Sequence, residues 1–455
     1  MAIKFNWKDL QKRVLNWVEA EKVMLNWIQI WPETTPPVPT NERIIVRMQA
    51  DSQGNLYIPT SQFYNHYPSD ANPYDWKVYI DDWNYVNYSW TSTYGWELLI
   101  GTWYNPNSSH IVKIEPMTEA YKRAKAFIFA HCDNIPSLLL EIIEDETYMW
   151  YAQSDTHTGE NFRAGQYRWC SNIHSIPNEV MPSTVTTIWN SFRSFQYTDC
   201  YWVTTIVPEV LPNSATWIWD YFRNSQYSTT HISVATPEVM PNTVTEIGVS
   251  FRAYQYSTTL ITTAPTEVMS SAITSIPSAF RMWQFSWCSF LVTPSPEVLP
   301  NVTSIAGSFR VWQYATTDIT STPAEVIPST VTSIDTNWFR ARSFMTCASL
   351  TTASPEVFPS SITTINGRRF RLEQFLGCAL LSSASIIARA NVNWNYRQSQ
   401  FGGIWPNLDV TISWNEVDAS NGAWIDANGT IRVPSALLAD YQSSWWSYIN
   451  NIIGY

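Results

Sequence analysis

The stretch Pro296-Glu-Val-Leu-Pro-Asn301, Val302-Thr-Ser-Ile305, Ser308-Phe309-Arg310-Val-Trp-Gln313-Tyr314 decides the fold, because the chain repeats it. Outward from it, a Phe-Arg dipeptide stands at Phe162-Arg163, Phe192-Arg193, Phe222-Arg223, Phe251-Arg252, Phe280-Arg281, Phe309-Arg310, Phe339-Arg340 and Phe370-Arg371, at intervals of 30, 30, 29, 29, 29, 30 and 31 residues. Upstream of the last seven stands a Glu-Val landmark, at Glu179, Glu209, Glu238, Glu267, Glu297, Glu325 and Glu356. Each glutamate precedes its arginine by 13 to 15 residues. Landmarks that keep step in this way define an internal repeat, and a period of roughly 20–50 residues is the signature of stacked arrays.

Within each unit a β-branched pair three residues apart recurs, as in Val185/Ile188, Val244/Ile247, Ile273/Ile276, Val331/Ile334 and Ile362/Ile365. Bounded by Pro, Ser and Asn, such pairs predict short strands. The Phe-Arg-x-x-Gln-aromatic segment predicts a turn or a single helical turn. Its Phe, with the aromatic five residues later (Tyr167, Tyr197, Tyr227, Tyr256, Phe285, Tyr314, Phe344, Phe375), would cap the core. A unit of this size cannot bury its own apolar side, so neighbours must stack into a quasi-one-dimensional solenoid, whose function belongs to a surface and not to a pocket.

The bulk composition agrees with a mainly β chain. Of 455 residues only 14% are charged and the net charge is -11, so a phosphate-neutralising surface has little to work with and nucleic acid is excluded as a partner. The start, Met1-Ala-Ile-Lys-Phe-Asn-Trp-Lys-Asp, lacks an apolar segment behind its basic residues, and no later run reaches the ~18 apolar residues of a membrane span. The expectation is a protein with no direct membrane insertion, found on a virion or at an extracellular or cell surface.

Ahead of the array, Ile44-Ile-Val-Arg-Met, Lys77-Val-Tyr-Ile, Glu97-Leu-Leu-Ile and His110-Ile-Val-Lys-Ile predict a small β-sandwich over residues 43–116. Residues 1–31, with the near duplicates Val14-Leu-Asn-Trp-Val and Val23-Met-Leu-Asn-Trp-Ile, predict a β meander serving as an attachment module. Residues 32–42 contain Pro32-Glu-Thr-Thr-Pro-Pro-Val-Pro39, a stiff linker. The repeat array takes residues 117–390, its first two units degenerate, and residues 391–455 form a capping region.

The order of strand, Pro/Ser turn, Val-Thr-Ser-Ile, aromatic turn, Cys and Ser-Leu resembles the BspA-type leucine-rich repeats of bacterial and phage surface proteins, in an expanded form. The end, Ile431-Arg-Val-Pro434-Ser-Ala-Leu-Leu-Ala-Asp-Tyr441 followed by Trp446-Ser-Tyr-Ile, resembles the closing segment of such arrays: a last strand, then a short helix. The resemblance implies a leucine-rich-repeat-like fold and leaves the ligand open, since fold does not fix function.

Candidate chemistry is sparse. Cys170, Cys200, Cys288, Cys347 and Cys378 stand eight residues after the Phe of their own unit, where other units carry Thr230, Thr259 and Thr317. The column therefore asks for a small buried side chain, and neither disulfides nor a metal site are expected there. The seven glutamates could be read as carboxylates for glycoside cleavage, but a catalytic pair occurs once per site. They read better as a structural ladder with Arg193, Arg223, Arg252, Arg281, Arg310, Arg340 and Arg371, its pairs exposed and each contributing only about 0–1 kcal/mol. His110, His131, His157, His174 and His231 share no period and stand in no nucleophile motif. No catalytic residue, cofactor or metal is expected.

The 25 tryptophans carry a second pattern, because several stand where other units have glycine. Trp189 and Trp219 alternate with Gly248, Trp169 and Trp287 with Gly377, and Trp283 and Trp312 with Gly165. Asn16-Trp17, Asn26-Trp27 and Asp82-Trp83 sit where Asn-Gly or Asp-Gly would close a hairpin. Glycine itself is scarce, 14 of 455 residues or about 3% against an average near 7%. Two readings follow: UGA codons translated here as Trp but read as Gly in the source, or an aromatic surface adapted to stack on glycans.

The functional expectation is a non-enzymatic structural or adhesion protein. The leading form is a virion-associated protein of tail-fibre or decoration type that meets a host-surface protein or glycan through the array and other virion proteins through its N-terminal module. A bacterial cell-surface adhesin and a polysaccharide-binding or polysaccharide-degrading protein are the alternatives. A homo-oligomer is compatible with any of them.

Overall fold

A computed structural model describes residues 24–25, 28–29, 43–59, 76–81, 84–86, 89–90, 97–116, 138–145 and most of 157–455. The longer stretches left out of that last span are 159–161, 177–180, 207–210, 356–358, 366–368, 387–398, 403–407, 413–428 and 445–448. The chain divides into two compact units, Met1–Thr40 and Asn41–Tyr455. In the first, β1 (Met24–Leu25) and β2 (Ile28–Gln29) pair antiparallel, with Leu25 opposite Ile28. The rest of the expected meander and the Pro-rich linker lie outside the described residues.

The second unit begins with two antiparallel sheets. Strands β3 (Ile44–Gln49), β4 (Leu56–Pro59), β5 (Trp76–Ile80), β6 (Asn84–Val86), β7 (Ser89–Trp90), β8 (Glu97–Gly101), β9 (Ser109–Pro116) and β10 (Leu138–Asp145) form sheets of order β10-β3-β9-β5-β6 and β4-β8-β7. Alternate side chains point inward, as a strand requires: Ile44, Val46 and Met48 of β3, Val78 and Ile80 of β5, and Val112 and Ile114 of β9 are buried. One boundary needs correction. Leu138–Asp145 falls in the span assigned by sequence to the degenerate start of the array, yet it pairs along β3 from Leu138 opposite Gln49 to Asp145 opposite Ile44. Its sequence, Leu-Leu-Leu-Glu-Ile-Ile-Glu-Asp, carries two register shifts that blur the alternation.

From residue 157 the pairing turns parallel. The β-branched pairs form β11 (Thr187–Ile188), β12 (Trp217–Ile218), β14 (Glu246–Ile247), β16 (Ser275–Ile276), β17 (Ser304–Ile305), β18 (Ser333–Ile334) and β19 (Thr364–Ile365). Between them lie β13 (Glu238–Val239) and β15 (Glu267–Val268), formed by two of the Glu-Val landmarks. Partners occupy the same place in successive units: Thr187 faces Trp217, Trp217 faces Glu246, Glu238 faces Glu267, Ser275 faces Ser304 and Ser333 faces Thr364. Each strand is only two residues long because the flanking Pro and turn residues end it at once. Parallel pairing continues past residue 390, through β20 (Ser383–Ile386), β21 (Asp409–Ile412), β22 (Thr430–Val433) and β23 (Asn451–Gly454). After β22, Pro434 leads into a short 3-10 turn, Ser435–Leu437, and helix α1 (Leu438–Ser443), before β23 adds one more strand.

The Phe-Arg segment is a run of turns with alternating handedness. Positive φ recurs in four columns: before the Phe (Ser191 58°, Ser250 54°, Ser308 58°), at seven of the arginines (51–54°), two residues after the arginine (Phe195 58°, Tyr254 56°) and four further on (Asp199 63°, Thr229 63°). Such backbone costs roughly 1–3 kcal/mol per non-glycine residue unless its surroundings over-determine it. Here hydrogen bonds do so. From Arg193 to Cys200 every N–H is satisfied. Arg193 donates back to Phe162 O (2.7 Å), while Phe195, Tyr197 and Asp199 donate forward to Asn224, Gln226 and Ser228 O (2.8, 2.9 and 3.1 Å). Ser194, Gln196, Thr198 and Cys200 close on the carbonyl three residues earlier, at 3.1–3.3 Å.

This geometry puts two ring files inside the molecule, so the aromatics form the core and do not cap it. Phe162 through Phe370 stack unit on unit at 4.6–5.8 Å between centroids. The file from Tyr167 to Phe375 stacks at 5.4–5.9 Å. Between them runs a file of buried amides, with Gln226 Nε2 donating to Gln196 Oε1 (3.2 Å), Gln313 to Gln284 (3.2 Å) and Gln400 to Gln374 (3.0 Å).

The arginines correct a second expectation. An exposed ion-pair ladder would leave them in water, but Arg163 and the seven ladder arginines are only 1–4% exposed. Each guanidinium carbon lies 4.8–5.8 Å from the ring centroid of its own Phe. Buried guanidiniums in a file demand negative charge, because removing an ion from water without compensation costs several kcal/mol. The Glu-Val glutamates are the only carboxylates in the sequence with the same period. Their backbone is described at Glu238 and Glu267, while Glu179, Glu209, Glu297, Glu325 and Glu356 lie outside the described residues. Replacing Glu267 by Gln is therefore expected to cost roughly 3–5 kcal/mol in denaturant unfolding. The same change at exposed Glu246 should cost about 0–1 kcal/mol. Equal, small losses at both positions would return the ladder to the surface.

Candidate binding faces

What a unit offers to solvent follows from what it buries. In the first strand the Val/Ile pair points inward, so the two residues between point out: Thr186-Thr187, Thr216-Trp217, Thr245-Glu246, Thr274-Ser275 and Thr303-Ser304. Parallel registry lines the threonines up in one file. Their hydroxyls are committed along it, Thr216 to Thr186 O (3.2 Å), Thr245 to Thr216 O (3.2 Å) and Thr303 to Thr274 O (3.0 Å). Each Thr therefore has a fixed rotamer, with its methyl group free of the hydrogen bonding.

A second hydroxyl face follows the Cys/Thr column: Thr204-Thr205, Ser233-Val234, Thr262-Thr263, Val292-Thr293, Thr320-Ser321, Thr351-Thr352 and Ser382-Ser383, all exposed. Single parallel bridges tie Thr205 to Val234, Thr263 to Thr293, Ser321 to Thr352 and Thr352 to Ser383. The sequence reading counted strands and missed this face. Its signal was present, in paired Thr/Ser residues following one buried aliphatic at the same period.

The five cysteines are buried and free. Beyond that, the column obeys a rule that only the structure explains. After each Cys come two residues and then a buried aliphatic: Cys170/Ile173, Cys200/Val203, Cys288/Leu291, Cys347/Leu350 and Cys378/Leu381. After each Thr comes one: Thr230/Ile232, Thr259/Ile261 and Thr317/Ile319. In four of the Cys units the longer spacing closes a turn, as in Leu291 N to Cys288 O (3.0 Å). The two side chains bond differently as well. Cys200, Cys288, Cys347 and Cys378 reach the aromatic carbonyl of the preceding unit at 2.9–3.0 Å, whereas the Thr hydroxyls return to their own unit's Tyr carbonyl at 2.8 Å. The extra residue raises a two-residue knuckle, and Tyr201, Trp202, Phe290 and Leu380 are exposed on such knuckles.

Burial pushes the Cys288 thiol up to about 11. The neighbouring Cys347 thiol, and then burial, push Cys378 up further. Thiols of this kind are poor nucleophiles and poor ligands at neutral pH. Among the described residues no group of three or more His, Cys, Asp and Glu is placed to hold a metal ion, and no helix is long and apolar enough to cross a membrane.

Sequence reasoning set His110 aside, but the structure aligns it with a serine and a carboxylate. His110 Nδ1 lies 2.7 Å from Asp81 Oδ2, and Nε2 lies 2.5 Å from Ser108 Oγ. The order is that of a nucleophilic relay. The serine proton is otherwise engaged, because Ser108 Oγ donates to Asn105 O at 2.5 Å, the carbonyl that also accepts Ser108 N–H at 2.9 Å. Asp81 also accepts the Ile111 N–H (3.1 Å). The constellation locks the 105–108 turn onto the sheet.

No family model, curated protein or solved structure matches this chain. The site must be argued from its own geometry, which is two hydroxyl faces and an edge of apolar knuckles, each repeated from unit to unit. The buried thiols supply a check. At pH 8 a thiol of pKa about 11 is ionised about once in a thousand. In the native protein Cys288 should therefore resist iodoacetamide and become reactive on unfolding. Rapid native labelling, or a bridge between Cys170 and Cys200 in thiol titration, would show the column misread.

Proposed function

We propose that this chain is a non-enzymatic display protein whose array is a leucine-rich-repeat-like solenoid of BspA type, and that it holds a host-surface ligand against one of its hydroxyl faces. The observation that carries the reading is repetition. A threonine on the outer side of the strand is presented by successive units in parallel register, so the chemistry offered to solvent is a lattice and not a single centre. A lattice suits a ligand that is itself repetitive, such as a surface glycan or an ordered protein layer, through many weak contacts acting together. Placement on a virion as a tail-fibre or decoration protein accords with this, the N-terminal module then serving as the attachment to the particle. A bacterial surface adhesin would use the same face in the same way.

Fluorescently labelled protein is expected to bind host cells or their extracted surface glycans. Thr274→Arg with Thr303→Arg on the first face, or Thr320→Arg with Thr351→Arg on the second, should weaken binding by roughly tenfold or more while the circular dichroism spectrum is unchanged. One face should respond and the other should not. Undiminished binding by both variants would remove the faces from the reading, and cleavage of any member of a glycan panel would overturn the non-enzymatic assignment.

A further inference from the structure

The tryptophans were left with two readings, and the structure separates them site by site. Trp103 gives the cleanest case because it lies outside the repeats, where no ladder between units holds the backbone. It has φ 71° and is 95% exposed, so its indole makes no packing that would offset the strain. Across the turn, Tyr104 N donates to Gly54 O (3.0 Å), and Gly54 has φ 80°, with no room for a side chain against Tyr104 O. The turn uses the glycine conformation on both sides.

Inside the array, positive φ alone does not decide, since nine arginines share it. The columns do. Trp283 (60°) and Trp312 (59°) share a column with Gly165 (63°) as well as Phe195, Ser225 and Tyr254 (54–58°), and Trp169 (60°) and Trp287 (59°) share one with Gly377 (77°) as well as Asp199, Thr229 and Thr258 (63°). Trp338, at 67°, stands in the column otherwise held by Ser191, Tyr221, Ser250, Ala279, Ser308 and Arg369, and has the largest φ of them. The remaining pair is described by its cost. Trp189 and Trp219 stack at 5.1 Å, and the indole N–H of each is buried with no acceptor. In their column Gly248 stands where a Cβ would come within 2.4 Å of Asp220 N. A glycan-stacking surface would need open ring faces. The indole faces here cover one another, with Trp283 and Trp312 parallel at 4.4 Å.

We infer that positions 103, 169, 189, 219, 283, 287, 312 and 338 are glycine in the native polypeptide, encoded by UGA in a source that reads this codon as glycine. The short hairpin of β1 and β2 agrees, since pairing of Leu25 with Ile28 leaves Asn26-Trp27 to connect the strands, the place where Asn-Gly is the preferred dipeptide. The inference is independent of the adhesive reading. It removes the indole files from any ligand surface and leaves the hydroxyl faces intact.

The gene sequence and the native protein test it together. All eight codons should be UGA, and peptide mass spectrometry of protein purified from its natural source should find glycine at each site. UGG codons at two or more of the eight, or UGA codons with tryptophan in the native peptides, would overturn it. A biophysical arm uses the recombinant chain as written. Trp103→Gly and the double replacement Trp283→Gly with Trp312→Gly should each raise the melting temperature, and a fall in both would overturn the inference.

Discussion

A guanidinium taken out of water must be met by acceptors and by negative charge, and this chain buries one in every unit from Arg163 to Arg371. Because Arg163, Arg193, Arg223, Arg252, Arg281, Arg310, Arg340 and Arg371 are all buried over their own phenylalanines, the units cannot slide past one another. A slip would place a guanidinium in an apolar layer with nothing to answer it. The turns of alternating handedness follow from the same requirement. With seven of these arginines at positive φ, each Arg N–H from Arg193 to Arg340 donates to the preceding unit's Phe carbonyl, at 2.7–3.0 Å. The buried charge and the inter-unit backbone bond thus belong to one residue, which explains why the Phe-Arg dipeptide is the least variable landmark in the sequence.

Periodicity made the fold's plan legible before any coordinates. The Phe-Arg interval, the Glu-Val landmark and the Val/Ile pair predict stacked units with short strands, and parallel pairs such as Ile188 with Ile218 and Ile276 with Ile305 stand where that plan puts them. Handedness and depth were not legible. Nothing in Ser-Phe-Arg announces positive φ, because the residues there (Ser, Arg, Phe, Thr) are not the glycine or asparagine from which that conformation is read. Arginine in a sequence is taken as surface, because on average it is. Leu138–Asp145 was misplaced for a related reason, since two register shifts break the alternation by which a strand is assigned to a sheet.

The Cys and Thr column shows what a column average conceals. Read as one position that wants a small side chain, it loses the correlation with the residue count that follows. The thiol bonds to the carbonyl of the preceding unit and the hydroxyl to its own. These two connections leave the chain at the same column position but run to different carbonyls, and the chain takes a different length to bring the next aliphatic inward. The exchange is therefore a paired choice of side chain and turn, and it decides which units raise an exposed knuckle. Knuckles with Tyr201, Phe290 and Leu380 and shorter turns with His231 and Asp318 vary the edge of an otherwise uniform array.

Uniform faces and a variable edge divide the work of recognition. A file of threonines whose hydroxyls are already bonded to neighbouring carbonyls has lost its rotamer freedom before any ligand arrives, so contact with it carries little further entropy cost. Its selectivity is poor for the same reason, because every unit offers the same groups. Discrimination must then come from side chains that differ between units, and those stand at the knuckles. Were the stacked indoles genuine they would add bulk without specificity, the faces of Trp189 and Trp219, and of Trp283 and Trp312, being turned to one another. Glycine in their place would remove that bulk and leave the hydroxyl files and the knuckles as the groups that differ in what they offer to solvent.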